Sequence, residues 1–134
     1  MIRRLLLAFI VLTTAVALTP PAQAAGDVTA RLVISSSTAA VQVEVPMTIT
    51  VRPASVARTN DPRGRIVRVQ VLDRQRHWVT IDNYRLPRSG IVQDTVTGIE
   101  EGLGRYRVLV MSIDRRSVIA RSTVATVTWV APGE

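Results

Sequence analysis

The sequence contains no cysteine, no lysine and a single histidine in 134 residues. Without cysteine the chain forms no disulfide and offers no thiolate nucleophile or metal ligand, so its stability must come from apolar burial. Zinc and copper sites usually draw on several histidine and cysteine ligands, which argues against them here. Calcium needs only oxygen ligands, but no EF-hand type of acidic loop occurs. We expect no metal and no cofactor.

Catalytic motifs are also missing. Histidine-assisted nucleophilic catalysis needs a base, a nucleophile and an orienting group within hydrogen-bond reach. The one histidine, His77, follows the charged stretch Arg74-Gln75-Arg76, where a solvated turn residue is expected. Neither a Gly-x-Ser-x-Gly elbow nor a Ser-x-x-Lys motif is present. The sequence therefore predicts a protein that is not an enzyme.

Aromatic residues make up only 4% of the chain. Sites for single-stranded nucleic acids stack flat ligands on exposed rings, so this scarcity predicts no nucleic-acid partner and weakens a carbohydrate site. Trp78 stands in an apolar strand and is predicted to lie in the core. Trp129, near the C-terminus, is the candidate exposed aromatic contact for a partner or a sugar.

The first 24 residues, Met1 to Ala24, have the pattern of an export signal. Arg3 and Arg4 precede an apolar run, two prolines end it, and Ala22-Gln23-Ala24 matches a small-x-small cleavage site. The run, Leu5 to Leu18, is shorter than the roughly 20 residues that a membrane-crossing helix needs. We expect cleavage, no stable membrane insertion afterwards, and a secreted or extracytoplasmic location in the periplasm or cell wall.

Residues 25–134 are the length of one domain. All 17 basic residues of the chain are arginine; 15 of them follow the signal, against 10 acidic residues, which gives this part a formal charge of +5. Such a charge favours solubility and attraction to anionic surfaces. It does not by itself identify a ligand.

After the signal, short runs rich in Val, Ile and Thr alternate apolar and polar residues and are separated by Pro, Gly, Asn, Asp and Ser. This pattern predicts an all-β antiparallel sandwich of about seven strands. The predicted strands include Val67 to Val71, with Val67, Val69 and Val71 facing inward, and Tyr106 to Val110, where Tyr106, Val108 and Val110 share the inward face. A last strand is predicted from about Val118 to Val130. Asp61-Pro62-Arg63-Gly64 has the residues that a type I turn prefers, and the Gly98 to Gly104 stretch is predicted to be a loop.

Three segments resemble the immunoglobulin-like or fibronectin type III-like domains of exported bacterial proteins. They are Val45-Pro46-Met47-Thr48-Ile49-Thr50-Val51, then Val69-Gln70-Val71-Leu72 followed by Trp78-Val79-Thr80-Ile81, and Gly104-Arg105-Tyr106-Arg107-Val108. The resemblance covers about residues 40–130 and implies a non-catalytic module that binds, spaces or displays. It also implies that Tyr106 is a structural tyrosine whose hydroxyl bonds back to the loop at Gly98 to Gly104.

One predicted sheet face is a candidate for partner binding. On the strand of Tyr106, the opposite face carries Arg105 and Arg107 and then Leu109, Met111 and Ile113, an apolar stripe that should not face solvent without reason. Arg68 and Gln70 share that face if the two strands are neighbours, as in other immunoglobulin-like sandwiches. A loop that covers the stripe is the alternative to a partner.

These observations predict a secreted, non-enzymatic module, monomeric or weakly associating, that binds a protein or a cell-surface component. Two alternatives stay open: binding of carbohydrate or of an anionic cell-wall polymer, and a purely structural accessory subunit. A strongly salt-dependent interaction would favour the polymer, and a salt-insensitive one would favour an apolar protein contact.

Overall fold

A computed structural model of the protein describes residues 27–133, which form nine β-strands and one short 3-10 helix. The predicted signal, Met1 to Ala24, lies outside the described residues. The strands are β1 (Thr29–Ile34), β2 (Thr38–Ala40), β3 (Val45–Arg52), β4 (Ile66–Leu72), β5 (Trp78–Arg85), β6 (Ile91–Val96), β7 (Gly102–Met111), β8 (Val118–Arg121) and β9 (Ala125–Val130). The 3-10 helix, Ala54–Ala57, lies between β3 and β4. No helix within residues 27–133 has the length and apolar character that a bilayer crossing requires.

The strands form two sheets of unequal width. The smaller sheet has the order β1-β3-β6, with antiparallel pairs throughout. The larger sheet has the order β2-β9-β7-β4-β5, and β8 joins β7 beyond the end of β9. β2 pairs with β9 in parallel, and the other pairs of the larger sheet are antiparallel. This arrangement confirms the predicted all-β, immunoglobulin-like sandwich.

The core lies between the two sheets because alternate residues of each strand point to one face. Ile49 and Val51 of β3 meet Val67, Val108 and Val110 of the larger sheet, and all five are almost completely buried. Of the inward-facing valines predicted from the period-two pattern in β4 and β7, Val67, Val69, Val108 and Val110 are confirmed as buried core residues, and Val71 is partly buried against them.

The predicted last strand, from about Val118 to Val130, is wrong in one respect: it is two strands, β8 and β9. The buried Ser122 separates them. Its backbone N–H donates to the Val108 carbonyl (2.9 Å) and its hydroxyl accepts from the Val108 N–H (2.9 Å). The Ser122 hydroxyl thus takes the place of a backbone carbonyl as the acceptor for β7, so β8 and β9 do not form one continuous strand. This break and the three-residue β2 account for nine strands where about seven were expected.

Two predicted connections can be compared directly with the structure. The Asp61 to Gly64 turn is confirmed, with the Gly64 N–H donating to the Asp61 carbonyl at 2.9 Å and a positive φ of 75° at Gly64. The predicted loop at Gly98 to Gly104 is shorter than expected, because β7 begins at Gly102. The last three residues of that stretch pair with β9 through Val127, Thr128 and Trp129.

Candidate functional site

The outer face of the larger sheet is strongly basic. Register places on it arginines from four strands: Arg68 (β4), Arg85 (β5), Arg105 and Arg107 (β7), and Arg121 (β8). The two acidic residues that lie in strands are elsewhere. Asp82 pairs with the inward-facing Val69, and Asp94 belongs to the smaller sheet. Among the described residues, no carboxylate lies within ion-pair distance of these five arginines.

Arg107 is held in place at the centre of this face. Its guanidinium carbon lies 4.2 Å from the centroid of the Trp78 ring, and its Nε donates to Gln70 Oε1 at 2.8 Å. The Gln70 amide in turn donates to the Thr80 hydroxyl (3.2 Å). A guanidinium over an indole gains about 0.5–1 kcal/mol at an exposed site. The stack and the hydrogen bond therefore limit the freedom of a cationic side chain before any ligand arrives.

Two features of its surroundings disfavour the charged form of Arg107. Partial burial lowers the pKa of Arg107, and the charge of Arg121 lowers it further. Arg68 lies on the adjacent strand and donates from Nε to Asn83 Oδ1 at 3.2 Å, a neutral partner. An anion placed among these side chains would offset the repulsion between the guanidinium groups of Arg107 and Arg121, since opposite charges attract.

The structure places Arg68, Gln70, Arg107 and Leu109 on one face, because Arg68 pairs with Leu109 and Gln70 with Arg107. The expected uncovered apolar stripe is nevertheless wrong. Leu109 is 5% exposed and Met111 4%. Leu109 lies in register between Arg68 and Arg121, whose aliphatic stems can cover an apolar neighbour.

Met111 is the last residue of β7, and its backbone carbonyl is contacted by an arginine from another part of the chain. Arg65 joins the 3-10 helix to the end of β7, since it donates to the Val56 carbonyl at 2.7 Å and to the Met111 carbonyl at 2.9 Å. Sequence reasoning missed this arginine. Its position one residue after the turn glycine, Gly64, gave no indication of contacts so distant along the chain.

Trp129 is not the exposed aromatic contact that the sequence predicted. It is 3% exposed and lies in the core, and its indole Nε1 donates to the Tyr106 hydroxyl at 3.0 Å. A period-two signal could have located it, because Val127 and Trp129 face inward while Thr126 and Thr128 do not.

Trp78 was expected in the core but is only half-buried, because it pairs with Leu72 on the outer face of the sheet.

Tyr106 is buried, as a structural tyrosine should be, but its hydrogen bond differs from the one predicted. The hydroxyl accepts from Trp129 and makes no hydrogen bond to the described residues of the Gly98 to Gly104 stretch. Gly98 packs directly against the indole, where a side chain would overlap the ring. The tyrosine therefore joins β7 to β9.

His77 is exposed, as predicted, in the turn between β4 and β5. Its backbone N–H donates to Asp73 Oδ1 at 2.8 Å, and the turn is closed by the Asp73 N–H to the His77 carbonyl (2.9 Å). Within residues 27–133, no group of three or more His, Asp or Glu side chains is arranged to hold a metal ion.

No protein-family model and no curated protein matches the sequence. Solved structures with the same fold are found. The CARDB domain of a Pyrococcus furiosus protein, an immunoglobulin-like domain crystallised with di-metal ions, has a TM-score of 0.54 and 14% identity, over 78% of this chain and 94% of that one. The solution structure of the same domain gives 0.50 and 16%. A superoxide reductase (neelaredoxin) from Ignicoccus hospitalis has a TM-score of 0.52 and 9% identity, over 75% of this chain and 80% of that one. At these identities the similarity shows the fold alone.

Proposed function

We propose that this protein is an exported, non-catalytic immunoglobulin-like module that binds an anionic polymer of the cell surface through the outer face of its larger sheet. The observation that carries the proposal is the concentration of Arg68, Arg85, Arg105, Arg107 and Arg121 on one face without a carboxylate among its strand residues. The export pattern of the first 24 residues supports the location.

The geometry favours a polymer over a protein partner. Protein interfaces gain most of their affinity from a few apolar or aromatic anchors that become fully desolvated. On this face Leu109 and Met111 are already buried, and Trp78 is occupied by the Arg107 guanidinium. Register also places two exposed apolar residues, Leu103 and Val118, toward the ends of this face, while its centre offers charge and hydrogen-bonding side chains, including Gln70 and Thr80.

The spacing of the charges also suits a repeating anion. Arg105 and Arg107 are two residues apart on β7, which corresponds to about 7 Å along a strand. Arg68 and Arg121 flank that strand on either side, about 10 Å from one another across the sheet. A chain with a phosphate or carboxylate in each repeat could contact several of these arginines at once.

Binding to immobilised polyphosphate tests the proposal, with the double variant Arg68→Gln/Arg107→Gln as the perturbation. Each exposed charge contact contributes about 0.5–1 kcal/mol, so two predict a loss of about 5- to 30-fold in affinity. The matched control is Arg31→Gln/Arg52→Gln, which removes the same charge from exposed positions on the smaller sheet.

We expect the control variant to stay within about twofold of the wild type, and wild-type binding to weaken as salt rises. Equal losses in both double variants would show that only net charge matters and would refute the assigned face. Salt-insensitive binding of an acidic protein in place of the polymer would refute the ligand class.

A further inference from the structure

The larger sheet divides at one end. β4 and β7 pair only as far as Val71 and Tyr106. Beyond that pair, β7 continues beside β9 from Tyr106 back to Gly102, while β4 continues beside β5 to Leu72 and the turn that follows it. The two halves of the sheet therefore separate and leave a cleft of about 700 Å³ between them. That volume is in the range of binding sites for small organic ligands.

The cleft opens on the basic face. Leu103 and Arg105 both line it. They lie on the outer face of the sheet, because Gly104 between them pairs with the inward-facing Val127. Arg105 therefore belongs both to the cleft and to the basic face, and a ligand held on that face can place part of itself in the cleft.

Charges of both signs surround the cleft and balance one another. Three of its lining residues are acidic and three are basic, namely Asp73, Glu100 and Glu101, and Arg74, Arg76 and Arg105. Arg74 and Glu100 form an exposed ion pair at 2.9 Å, and within residues 27–133 the other four form none. Carboxylates only accept hydrogen bonds and guanidinium groups only donate them, whereas a hydroxyl group does both. A neutral unit rich in hydroxyl groups can use both kinds of side chain, while an anionic unit would be repelled by three carboxylates.

The floor of the cleft holds a buried hydroxyl group with a free proton. Tyr106 lines the cleft but is only 5% exposed. Its hydroxyl lies beside Gly104, where a Cβ would be 2.8 Å from the oxygen. The hydroxyl accepts the Trp129 N–H at 3.0 Å, but within residues 27–133 no acceptor lies within hydrogen-bond distance of its own proton. Buried donors normally have a partner. An oxygen atom of a bound ligand would supply the missing acceptor.

Exposed apolar side chains lie beside these polar groups. Leu103 is 52% exposed, Ile81 48% and Ile99 83%, and all three line the cleft. Apolar side chains grouped in a concavity are characteristic of ligand-binding surfaces. A sugar ring suits such a mixed lining, because it has a rigid face of C–H groups and a rim of hydroxyl groups. An open-chain polyol has the hydroxyl groups but no rigid apolar face.

From these observations we infer that the cleft binds one sugar residue of the polymer, an inference that rests on the function proposed for the basic face. The hydroxyl groups of the sugar meet the carboxylates and guanidinium groups, and one of its oxygen atoms accepts from the Tyr106 hydroxyl. Its C–H face packs against Leu103. The anionic groups of the same polymer lie on the neighbouring arginines, Arg105 and Arg107. The ligand class is therefore a glycosylated polyanion and not a bare one.

Matched polymers test the inference. One is unsubstituted poly(glycerol phosphate), and three others carry glucosyl, galactosyl or N-acetylglucosaminyl substituents on chains with the same number of phosphates. Affinity for the exported protein is measured by isothermal titration calorimetry at one salt concentration. We expect at least one glycosylated polymer to bind about fivefold or more tightly than the unsubstituted chain, the effect of one or two added hydrogen bonds.

Two neutral substitutions locate the effect. Tyr106→Phe removes only the hydroxyl and should weaken the glycosylated polymer about 2- to 12-fold, the loss of one hydrogen bond of about 0.5–1.5 kcal/mol. Leu103→Ser removes an apolar contact and should weaken it about 3- to 5-fold. Affinity for the unsubstituted chain should stay within about twofold in both variants.

Val118→Ser is the matched control, since Val118 is an exposed apolar residue at another end of the same face. It should change neither affinity by more than about twofold. Leu103 is exposed, so circular dichroism of Leu103→Ser should match the wild type even if Tyr106→Phe proves less stable.

Equal affinity for all four polymers, or a glycosylated polymer whose affinity neither Tyr106→Phe nor Leu103→Ser changes, would overturn this inference. If Arg68→Gln/Arg107→Gln still weakened every polymer, the function proposed for the basic face would stand. Absence of binding to all four polymers would overturn that function and this inference together. Displacement of the glycosylated polymer by a neutral apolar peptide, or a dimer that Leu103→Ser dissociates, would assign the cleft to a polypeptide and would also overturn the inference.

Discussion

Substitution of Gly98 by alanine should destabilise the domain severely, although it adds a single methyl group. The new Cβ would lie 2.5 Å from Cγ and Cε2 of Trp129 and closer still to Cδ2. Carbon atoms pack best at about 3.5–4.0 Å, so the overlap is roughly 1 Å or more. Overpacking of a core costs about 1–3 kcal/mol. The upper value applies because the indole is buried and its Nε1 is bonded to Tyr106, so the ring cannot easily move.

A loss of about 3 kcal/mol corresponds to a fall in Tm of about 12–24 °C, at about 4–8 °C for each kcal/mol. Thermal and urea unfolding followed by far-UV circular dichroism would measure it. Thr97→Ala is the matched control, an exposed neighbour whose change should stay within about 0.5 kcal/mol. In a Trp129→Leu background the ring is gone, so Gly98→Ala should add little. Additive losses in the double variant, or a Gly98→Ala protein as stable as the wild type, would refute the proposed steric contact.

Two titrations test the electrostatics of the fold. Hydrogen bonds from Arg63 lower the pKa of Asp61 to about 2, so its contribution to stability is present above its ordinary pKa of 3.8 and is lost as the pH falls through about 2. Carboxyl NMR should show that midpoint, and Arg63→Gln should move it back toward 3.8; an unchanged midpoint would contradict the assigned cause. Burial raises the pKa of both tyrosines, Tyr84 and Tyr106, above 10.0, with hydrogen bonds to carboxylates adding to the effect at Tyr84. Since the unfolded chain ionises first, stability should decline as the pH rises above about 10, and phenolate absorbance should appear only with unfolding.

The fold could be predicted to a large extent because its strands have one buried face. Alternation placed Val67, Val108 and Val110 in the core, and turn residues placed the connection at Asp61. The division of the last strand could not be predicted, since it depends on the Ser122 hydroxyl replacing a backbone partner of a strand 14 residues away. Such a contact leaves no periodic signal in the sequence.

The sequence predicted which face of the sheet the candidate site residues occupy, but not which of them are exposed. Alternation and strand order bring Arg68, Gln70 and Arg107 to one face, as expected. The pattern does not tell whether a side chain on an outer face is covered by its neighbours, which is why Leu109 was expected to be accessible and is not.

The same period-two pattern that builds the core also separates the basic face from it. Along β7, Tyr106 points inward and is buried, and the next residue, Arg107, points outward to the basic face. Along β4, Val71 and Gln70 divide in the same way. Because a strand presents successive side chains to opposite faces, the arginines of the outer face can be replaced without a core residue being changed.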